Sequence, residues 1–369
     1  MYRTRPIRGN KIISLLCAIL LISSLAGCTT GTGAGDFQEK GSTEGTVTKE
    51  DVSSDSTNAP SGTDSAKSMV IHQAPEPGML TNPNANEKTK AIYAYLCENF
   101  EVTMLSCQQE STWMGSPDYE MDYIKEHTGK LPAMRGLDFM NQDFDGVVER
   151  AKAWDAQGGL VTICWHTGVA ASGYQESLKE SPNWNHLLTE GTEEYNTLMA
   201  SWDQAAKALQ ELEEANVTVL WRPFHEFDGK WFWWGKGGGD HFIELWQLMY
   251  QKFTYEYELN NLIWVLGYCG EVKDGWYPGD AYCDIIGSDS YEGTTQQKAW
   301  KKLKAIADKP IAYHECGNIP TTDEFEKDGV IWSWFMIWHT DYITGFDVED
   351  LNEIYNSELV ITLDELPEF

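Results

Sequence analysis

The chain of 369 residues is 42% hydrophobic and has 57 acidic side chains against 27 Lys and Arg, a formal net charge of −30. The length fits one large α/β domain or two smaller ones, and the apolar content excludes a chain that is disordered throughout. The excess of negative charge argues against a nucleic-acid partner, because the protein would repel a polyanion. A neutral polymer would not be repelled.

The first 27 residues have the features of an export signal. Four basic residues precede an apolar run over residues 12–25, which is too short and wrongly flanked for a membrane span and is followed by small residues. The sequence Leu-Ala-Gly-Cys that ends at Cys28 also resembles the bacterial lipobox, in which the cysteine is lipidated and becomes the mature N-terminus. We expect a lipoprotein signal peptide over 1–27 and a lipid-anchored, extracellular-facing protein of the cell membrane. The alternative is a plain secretory signal before a cysteine.

Residues 28–71 are expected to form a disordered tether. The segment is mainly Gly, Ser, Thr, Asp and Glu, with Phe37 as its single aromatic residue, so it has too little apolar surface to order itself. Residues 72–369 are expected to be one folded, monomeric domain. The six cysteines of this domain have no CxxC spacing, which indicates buried thiols rather than a zinc site, although an exported protein could hold one or two disulfides.

The domain contains eight apolar, β-rich runs, at 102–108, 131–138, 160–166, 217–226, 262–269, 284–291, 311–317 and 330–339. Helical spacing of apolar residues is found before the first run and in four later connections, at 86–100, 145–157, 193–215, 240–259 and 296–308. Short connections follow the first, fifth and seventh runs, and 363–369 is expected to be an acidic tail. Eight buried strands that alternate with helices favour a single (β/α)8 TIM barrel over a doubly wound sheet.

In such a barrel the site lies at the C-terminal ends of the strands. The residues that end the eight runs are mostly polar or aromatic: Gln108, Gln109, Asp138, Trp165, His166, His225, Glu226, Tyr268, Asp289, Tyr291, His314, Glu315, Trp338 and His339. Two of them are glutamates, on runs four and seven. The fourth run is followed by four large aromatics over 231–234, which suggests a wall for a ligand with flat apolar faces such as a sugar ring.

Two glutamates in this arrangement suit the cleavage of a glycosidic bond with retention. That reaction needs a carboxyl that donates a proton and a carboxylate that attacks the anomeric carbon, about 5–5.5 Å apart. Glu226 is expected to be the proton donor, because its neighbours Phe224, Phe227 and Trp231 would exclude water and raise its pKa. Glu315 is expected to be the nucleophile, with Tyr291 of the sixth run as a hydrogen-bond donor to it.

The segment WRPFHE over 221–226, followed by Gly229 and the aromatic run that ends at Gly235, resembles the acid/base signature of glycoside hydrolase family 26, the β-mannanase family of clan A. Most of that clan has asparagine before the acid/base glutamate, whereas family 26 has histidine, as His225 is here. Further agreement comes from WH at 165–166, GSDSY at 287–291, ECG at 315–317 and Trp338. The resemblance spans about 102–342.

The resemblance implies that Glu226 is the acid/base and Glu315 the nucleophile of a retaining endo-hydrolase of β-1,4-mannosidic bonds in mannan, glucomannan or galactomannan, with no cofactor or metal. Asp228 and His339 depart from residues found in some members and are both expected to touch the glycan. The alternative within the family is a mixed-linkage β-1,3-1,4-glucanase. The substrate-binding residues implied are Trp165, His166, His225, Trp231, Asp289, Tyr291 and Trp338.

Two hypotheses from other functional classes compete with a glycoside hydrolase. A metal site could use the pairs His225-Glu226 and His314-Glu315, but adjacent strand residues point to opposite faces, so each pair offers one ligand unless the strand end bends. A non-catalytic, lipid-anchored glycan-binding protein would be expected to have lost one of the two glutamates, and this chain has both. Release of reducing sugar from mannan separates these readings.

Overall fold

The computed structural model describes residues 72–369, so the expected signal peptide, Cys28 and the tether lie outside the described residues. The strands are Met104–Gln109 (β1), Met134–Asp138 (β2), Leu160–Cys164 (β3), Val219–Arg222 (β4), Leu262–Cys269 (β5), Ile285–Ser290 (β6), Ile311–Cys316 (β7), Trp334–Ile337 (β8) and Val360–Ile361 (β9). The first eight pair in parallel in chain order, and β8 pairs with β1. The sheet is therefore a closed eight-stranded barrel, which confirms the predicted TIM barrel.

The α-helices of the described residues pack around this barrel or, in the case of the first, across its lower end. They are Glu87–Asn99 (α1), Tyr119–Thr128 (α2), Phe144–Asp155 (α3), Tyr174–Lys179 (α4), Trp184–Leu187 (α5), Glu193–Glu214 (α6), Trp233–Lys236 (α7), Gly239–Gln251 (α8), Gln297–Ile306 (α9), Thr322–Asp328 (α10), Asp341–Thr344 (α11) and Val348–Tyr355 (α12). None of them combines the length and the apolar character needed to cross a membrane.

The barrel strands are buried on both faces because alternate side chains pack in two separate layers. One layer fills the barrel interior and includes Leu105, Met134 and Leu220, and α1 closes the lower end of the barrel with Ile92 and Leu96. The other layer packs the outer strand faces against the surrounding helices. Continuous apolar runs are the expected sequence pattern for such strands.

Several connections and the C-terminal segment differ from the sequence prediction. Helices α2 and α10 occupy connections for which no helix was predicted; in α2 the buried residues include Glu120 and Thr128, which interrupt the apolar pattern. The C-terminal segment is not a free tail, because β9 pairs with the start of β1 and the Leu363 N–H donates to the Leu131 carbonyl oxygen. The ring of Phe369 packs edge-on to Tyr95.

Candidate active site

A bend at the end of β4 turns two adjacent side chains into the barrel mouth. Phe224 and Glu226 have φ angles of 51° and 55°, a left-handed conformation that costs a non-glycine residue about 1–3 kcal/mol. The Glu226 N–H donates to the Gly267 carbonyl oxygen at 2.7 Å, so β5 holds the bend in place. As a result His225 and Glu226 both approach Glu315, although neighbours on a regular strand would diverge.

A bulge produces the same effect at the end of β7. Gly287 of β6 pairs with Ala312, but Asp289 pairs with Glu315, so β7 has one extra residue between these pairs. His314 and Glu315 consequently both contact the Arg222 guanidinium, at 3.3 and 3.1 Å. The bulge places the predicted nucleophile in the mouth rather than in the outer layer.

Three carboxyl groups converge in the mouth, from Glu226, Asp289 and Glu315. One oxygen from each lies within 4.8 Å of the other two. Retaining glycosidases hold their two catalytic carboxyl groups about 5–5.5 Å apart, whereas inverting enzymes need about 6.5–9.5 Å to admit a water. The separation of Glu226 and Glu315 therefore fits direct attack by one carboxylate on a sugar that the other protonates.

Glu315 is buried and held by two hydrogen-bond donors. The Tyr291 hydroxyl donates to its Oε1 at 2.5 Å, as the sequence predicted, and Arg222 Nη1 donates to its Oε2 at 3.1 Å. Burial and the neighbouring Glu226 carboxyl raise the pKa of Glu315, while Arg222 and Tyr291 act against that rise. The two donors thus fix the orientation of the carboxyl and favour its ionised form.

Glu226 is more accessible than Glu315 and has a different partner. Trp231, which is 42% exposed, donates its indole N–H to Glu226 Oε2 at 2.8 Å. The Trp231 ring lies over Gly229, where an added Cβ would be 2.2 Å from ring carbons, so only glycine fits beneath it. Phe224 and Phe227 were expected to shield the Glu226 carboxyl, but they pack among the aromatics of the outer layer.

Asp289 and His166 complete the wall of the mouth. Asp289 accepts a hydrogen bond from the Gly270 N–H at 3.2 Å, and burial together with Glu226 raises its pKa well above the ordinary value. His166 binds the Asp138 carboxylate at 2.6 Å, and its ring lies 4.6 Å from His225. Burial opposes ionisation of His166, but Asp138 outweighs it and raises the pKa of the imidazole.

A scan against known families matches residues 81–365 to the model described as glycosyl hydrolase family 26. The chain belongs to glycosyl hydrolase family 26. Among its relatives, a mannan endo-1,4-beta-mannosidase of Thermothelomyces thermophilus is 32% identical over 78% of this chain and 63% of the relative. Mannan endo-1,4-beta-mannosidase A and B of Caldalkalibacillus mannanilyticus is 34% identical over 64% of this chain and 52% of the relative. The chain thus spans between half and two thirds of the length of these relatives.

Solved structures of the family share the barrel. A beta-mannanase from a symbiotic protist of the termite Reticulitermes speratus, complexed with gluco-manno-oligosaccharide, superposes with a TM-score of 0.73 and 31% identity, and the match covers 79% of this chain and 98% of that one. A family 26 protein from Muricauda gives a TM-score of 0.72 with 34% identity over 78% of this chain and 99% of that one. The family predicted from the strand-four motif is confirmed.

The mouth brings together Glu226, Glu315 and all but one of the seven residues that were named as substrate-binding in this family 26 chain. Trp338 lies half-buried with its ring 6.2 Å from His166. Trp165 is the exception, because its side chain points out of β3 into the outer layer and packs against Phe144. Asp228 is also turned away from the cleft: it is fully buried and accepts hydrogen bonds from the N–H groups of Cys269 and Lys273.

The predicted site did not include Arg222, which is fully buried beside Glu315. Its position could have indicated a role, because Arg222 is the last residue of an apolar strand, four before Glu226, and a buried arginine needs a carboxylate partner.

Arg222 also argues against the metal-site hypothesis, because both histidines of the His-Glu pairs lie near its guanidinium. Burial and Arg222 lower the pKa of His225 and of His314. A cation among these groups would meet the positive charge of Arg222.

Proposed function

We propose that this family 26 chain is a retaining endo-β-1,4-mannanase that acts on mannan, glucomannan or galactomannan. The observation that carries the proposal is the convergence of Glu226 and Glu315, with oxygens within 4.8 Å, from the ends of β4 and β7. The relatives are mannan endo-1,4-beta-mannosidases, which supports the choice of sugar and linkage. The bound gluco-manno-oligosaccharide in the termite-protist relative supports the same substrate class.

The geometry supports a double displacement. A Glu315 oxygen attacks the anomeric carbon, the bond to the glycosidic oxygen breaks, and that oxygen takes the proton of Glu226. A water then attacks the same carbon, gives its proton to Glu226 and releases Glu315 as the carboxylate. Arg222 and Tyr291 orient Glu315 for attack, and two inversions leave the product with its original β configuration.

The test is hydrolysis by the domain expressed from Lys67. Reducing-sugar release is measured on mannan, glucomannan, galactomannan and mixed-linkage β-glucan, with and without EDTA, and NMR identifies the first anomer formed. We expect release from mannans, a β-configured first product and no effect of EDTA. Glu244→Ala, an exposed change on α8, serves as the control for Glu315→Ala. An α-configured first product would contradict the retaining mechanism. Preferential release of sugar from mixed-linkage β-glucan would show that β-glucan, and not mannan, is the preferred substrate.

We also propose that Cys28 carries a lipid anchor and that residues 28–71 tether a monomeric barrel on the outer side of the cell membrane. The lipobox-like sequence supports this proposal. A flexible segment of this length has a root-mean-square reach of about 30–40 Å, enough for a rigid barrel to reorient on a bulky glycan. Cys28→Ala should release the protein from the membrane fraction and spare its turnover of oligosaccharides. Retention of that variant in membranes would contradict the anchor.

A further inference from the structure

A thiol, an imidazole and a carboxylate lie together where β2 and β3 reach the barrel mouth. They belong to Cys164, His166 and Asp138, and one ligand atom of each lies within 4.8 Å of the other two. The proposed reaction gives the Cys164 thiol no role. The cluster has no CxxC spacing in the sequence because its members come from two neighbouring strands.

The register of the barrel strands brings these three groups together. Asp138 and Cys164 are Cα partners on β2 and β3. Leu160 of β3 packs in the interior of the barrel, and alternate residues of a strand point to the same side. Cys164 and His166 therefore both point inward, with His166 on the side of Cys164 that is closer to the mouth.

The Asp138 carboxylate is already aimed at the imidazole. Its Oδ1 accepts hydrogen bonds from the N–H groups of Met140 and His166, each at 3.0 Å. Its Oδ2 lies 2.6 Å from His166 Nδ1. Because two backbone donors hold Oδ1, Oδ2 stays in place when a cation takes the position of the proton between it and Nδ1. Hydrogen bonds of this kind orient the ligands of metal sites.

A thiolate, an imidazole and a single carboxylate select one class of cation. Zinc binds these groups at about 2.0–2.3 Å, and three protein ligands leave a fourth position for water. Ligand atoms of one tetrahedral zinc are then about 3.3–3.8 Å apart, so the three side chains need to move by only about 1 Å. Magnesium and calcium require mainly oxygen ligands, of which this cluster has too few. The cluster therefore fits zinc and not the hard cations.

The charges around the cluster also match a divalent cation. Arg222 is the Cα partner of Cys164 on β4, and its guanidinium donates to Glu315, whose charge offsets its own. The Asp138 carboxylate and a Cys164 thiolate then remain to neutralise the metal. The side chain of Asp138 is 11% exposed, so a cation can reach the cluster from the mouth past this residue.

We propose that Asp138, Cys164 and His166 form an inhibitory zinc site, which the reaction itself does not use. Bonds form to the metal from Sγ, Nδ1 and Oδ2; the thiol gives its proton to water, and the imidazole keeps a proton on Nε2 only. The metal separates Nδ1 from Oδ2 and so shifts the His166 ring, which lies 4.6 Å from that of His225 in the sugar-binding wall. The inhibition rests on the proposed mannanase activity, whereas the binding of zinc does not.

A cadmium titration tests the binding without any substrate. The protein is the EDTA-washed domain from Lys67, which contains the whole barrel and excludes Cys28. Cadmium prefers the same ligands as zinc, and its bond to a thiolate gives an ultraviolet charge-transfer band that carboxylate ligands do not give. We expect this band to saturate at one cadmium per chain and to disappear when zinc, but not magnesium or calcium, is added.

The variants ask which thiol binds the metal. Cys164→Ser, which keeps the size of the side chain, should abolish the band. Cys97→Ala is the matched control, because Cys97 of α1 is more exposed than Cys164 and should not contribute to the band. X-ray absorption of the zinc-bound wild type needs no variant and should show one sulfur ligand. A shell of oxygen ligands alone would contradict the proposal.

Zinc inhibition of mannan hydrolysis is compared for each protein with its own rate in EDTA. Cys164→Ser should raise the zinc concentration for half inhibition about 100-fold or more, since loss of even a partner outside the ligand set costs about 10–100-fold in affinity. Cys97→Ala should leave it unchanged. Undiminished inhibition of Cys164→Ser would place the cation among Glu226, Asp289 and Glu315 and would overturn the proposal.

The two kinds of measurement separate this inference from the proposed function. The cadmium band without hydrolysis of any mannan would support the site and refute the mannanase activity. Hydrolysis without a band would refute the site and leave the activity unaffected. A band together with hydrolysis that zinc does not slow would refute the inhibitory role, and absence of both would refute both proposals.

Discussion

Two clusters of three carboxyl groups lie in the same barrel and differ in their cations. The catalytic cluster places Glu226, Asp289 and Glu315 around one arginine, Arg222. The second, which we name the edge cluster, lies beside β1 and β2 and has two arginines; its members are Glu110, Asp118, Asp143, Arg135 and Arg150. Burial raises the pKa of both Glu110 and Glu315, but only in Glu315 does a neighbouring carboxyl add to the rise.

This difference separates a cluster that stabilises the fold from one that is proposed to transfer a proton. Both oxygens of Glu110 lie 2.7 Å from a guanidinium nitrogen, so its charge is fully matched. In the catalytic cluster three carboxyls share one guanidinium, at 3.1 Å from Glu315. Three close carboxyls with one cation favour retaining at least one proton. That surplus of carboxyls is what a general acid requires.

The largest expected effect tests the catalytic cluster. Glu315→Gln removes the proposed nucleophile and keeps the shape of the side chain, so kcat on mannan should fall by roughly 10⁴-fold or more. The matched change in the edge cluster, Glu110→Gln, should leave kcat on aryl mannobioside within a few-fold of the wild type. A Glu315→Gln variant within tenfold of the wild type would mean that the nucleophile lies elsewhere.

The edge cluster should show the reverse pattern, a loss of stability without a loss of chemistry. Glu110→Gln removes the carboxylate that the buried Arg135 and the partly buried Arg150 share and leaves each with one more exposed partner, Asp118 or Asp143. It should lower the free energy of unfolding by about 3 kcal/mol, the lower end for a broken buried ion pair, measured by urea denaturation. Glu87→Gln is the control, since Glu87 pairs with Lys90 on the surface and should change stability by less than about 1 kcal/mol. Equal stability of the two variants would refute the role of the edge cluster.

Tyr291→Phe tests how the hydrogen-bond donors of Glu315 set the pKa of its carboxyl group. The Tyr291 hydroxyl lowers the pKa of Glu315, so its removal should raise that pKa further. Because attack requires ionised Glu315, the acid limb of kcat/KM should move to higher pH, and kcat should fall about 10- to 100-fold. The measurement is a pH–rate profile of both proteins on an aryl mannobioside. An acid limb that stays in place or moves to lower pH would contradict this assignment.

The smallest expected effect concerns Glu226. Trp231→Phe keeps a ring over Gly229 but removes the N–H that binds Glu226 Oε2. One neutral donor to a half-exposed carboxyl is worth about 1 kcal/mol, so kcat/KM on oligosaccharides should fall only a few-fold. Aryl substrates, which leave without protonation, should be less sensitive. An equal loss on both substrate types would show that the indole N–H acts on something other than the proton donor.

The fold was largely predictable because each barrel strand is buried on both faces and so has a continuous apolar sequence. Helices α3, α6, α8 and α9 followed from their apolar spacing. The helix α2 did not, since its inner face contains Glu120, whose partners Ser111 and Thr340 lie on other loops. The strand β9 has two residues, too few to show a period.

At the site, the sequence by itself determined the chemical groups: two glutamates at the ends of strands four and seven, the tyrosine that binds one of them, and the family to which the motif belongs. Tertiary structure decided which of the side chains at the strand ends face the barrel mouth. The bend at Glu226 and the bulge before Glu315 bring in residues that a regular strand would turn outward, while β3 continues its alternation and turns Trp165 away. These choices depend on hydrogen bonds from adjacent strands, such as that between Glu226 and Gly267, and a local sequence pattern does not contain them.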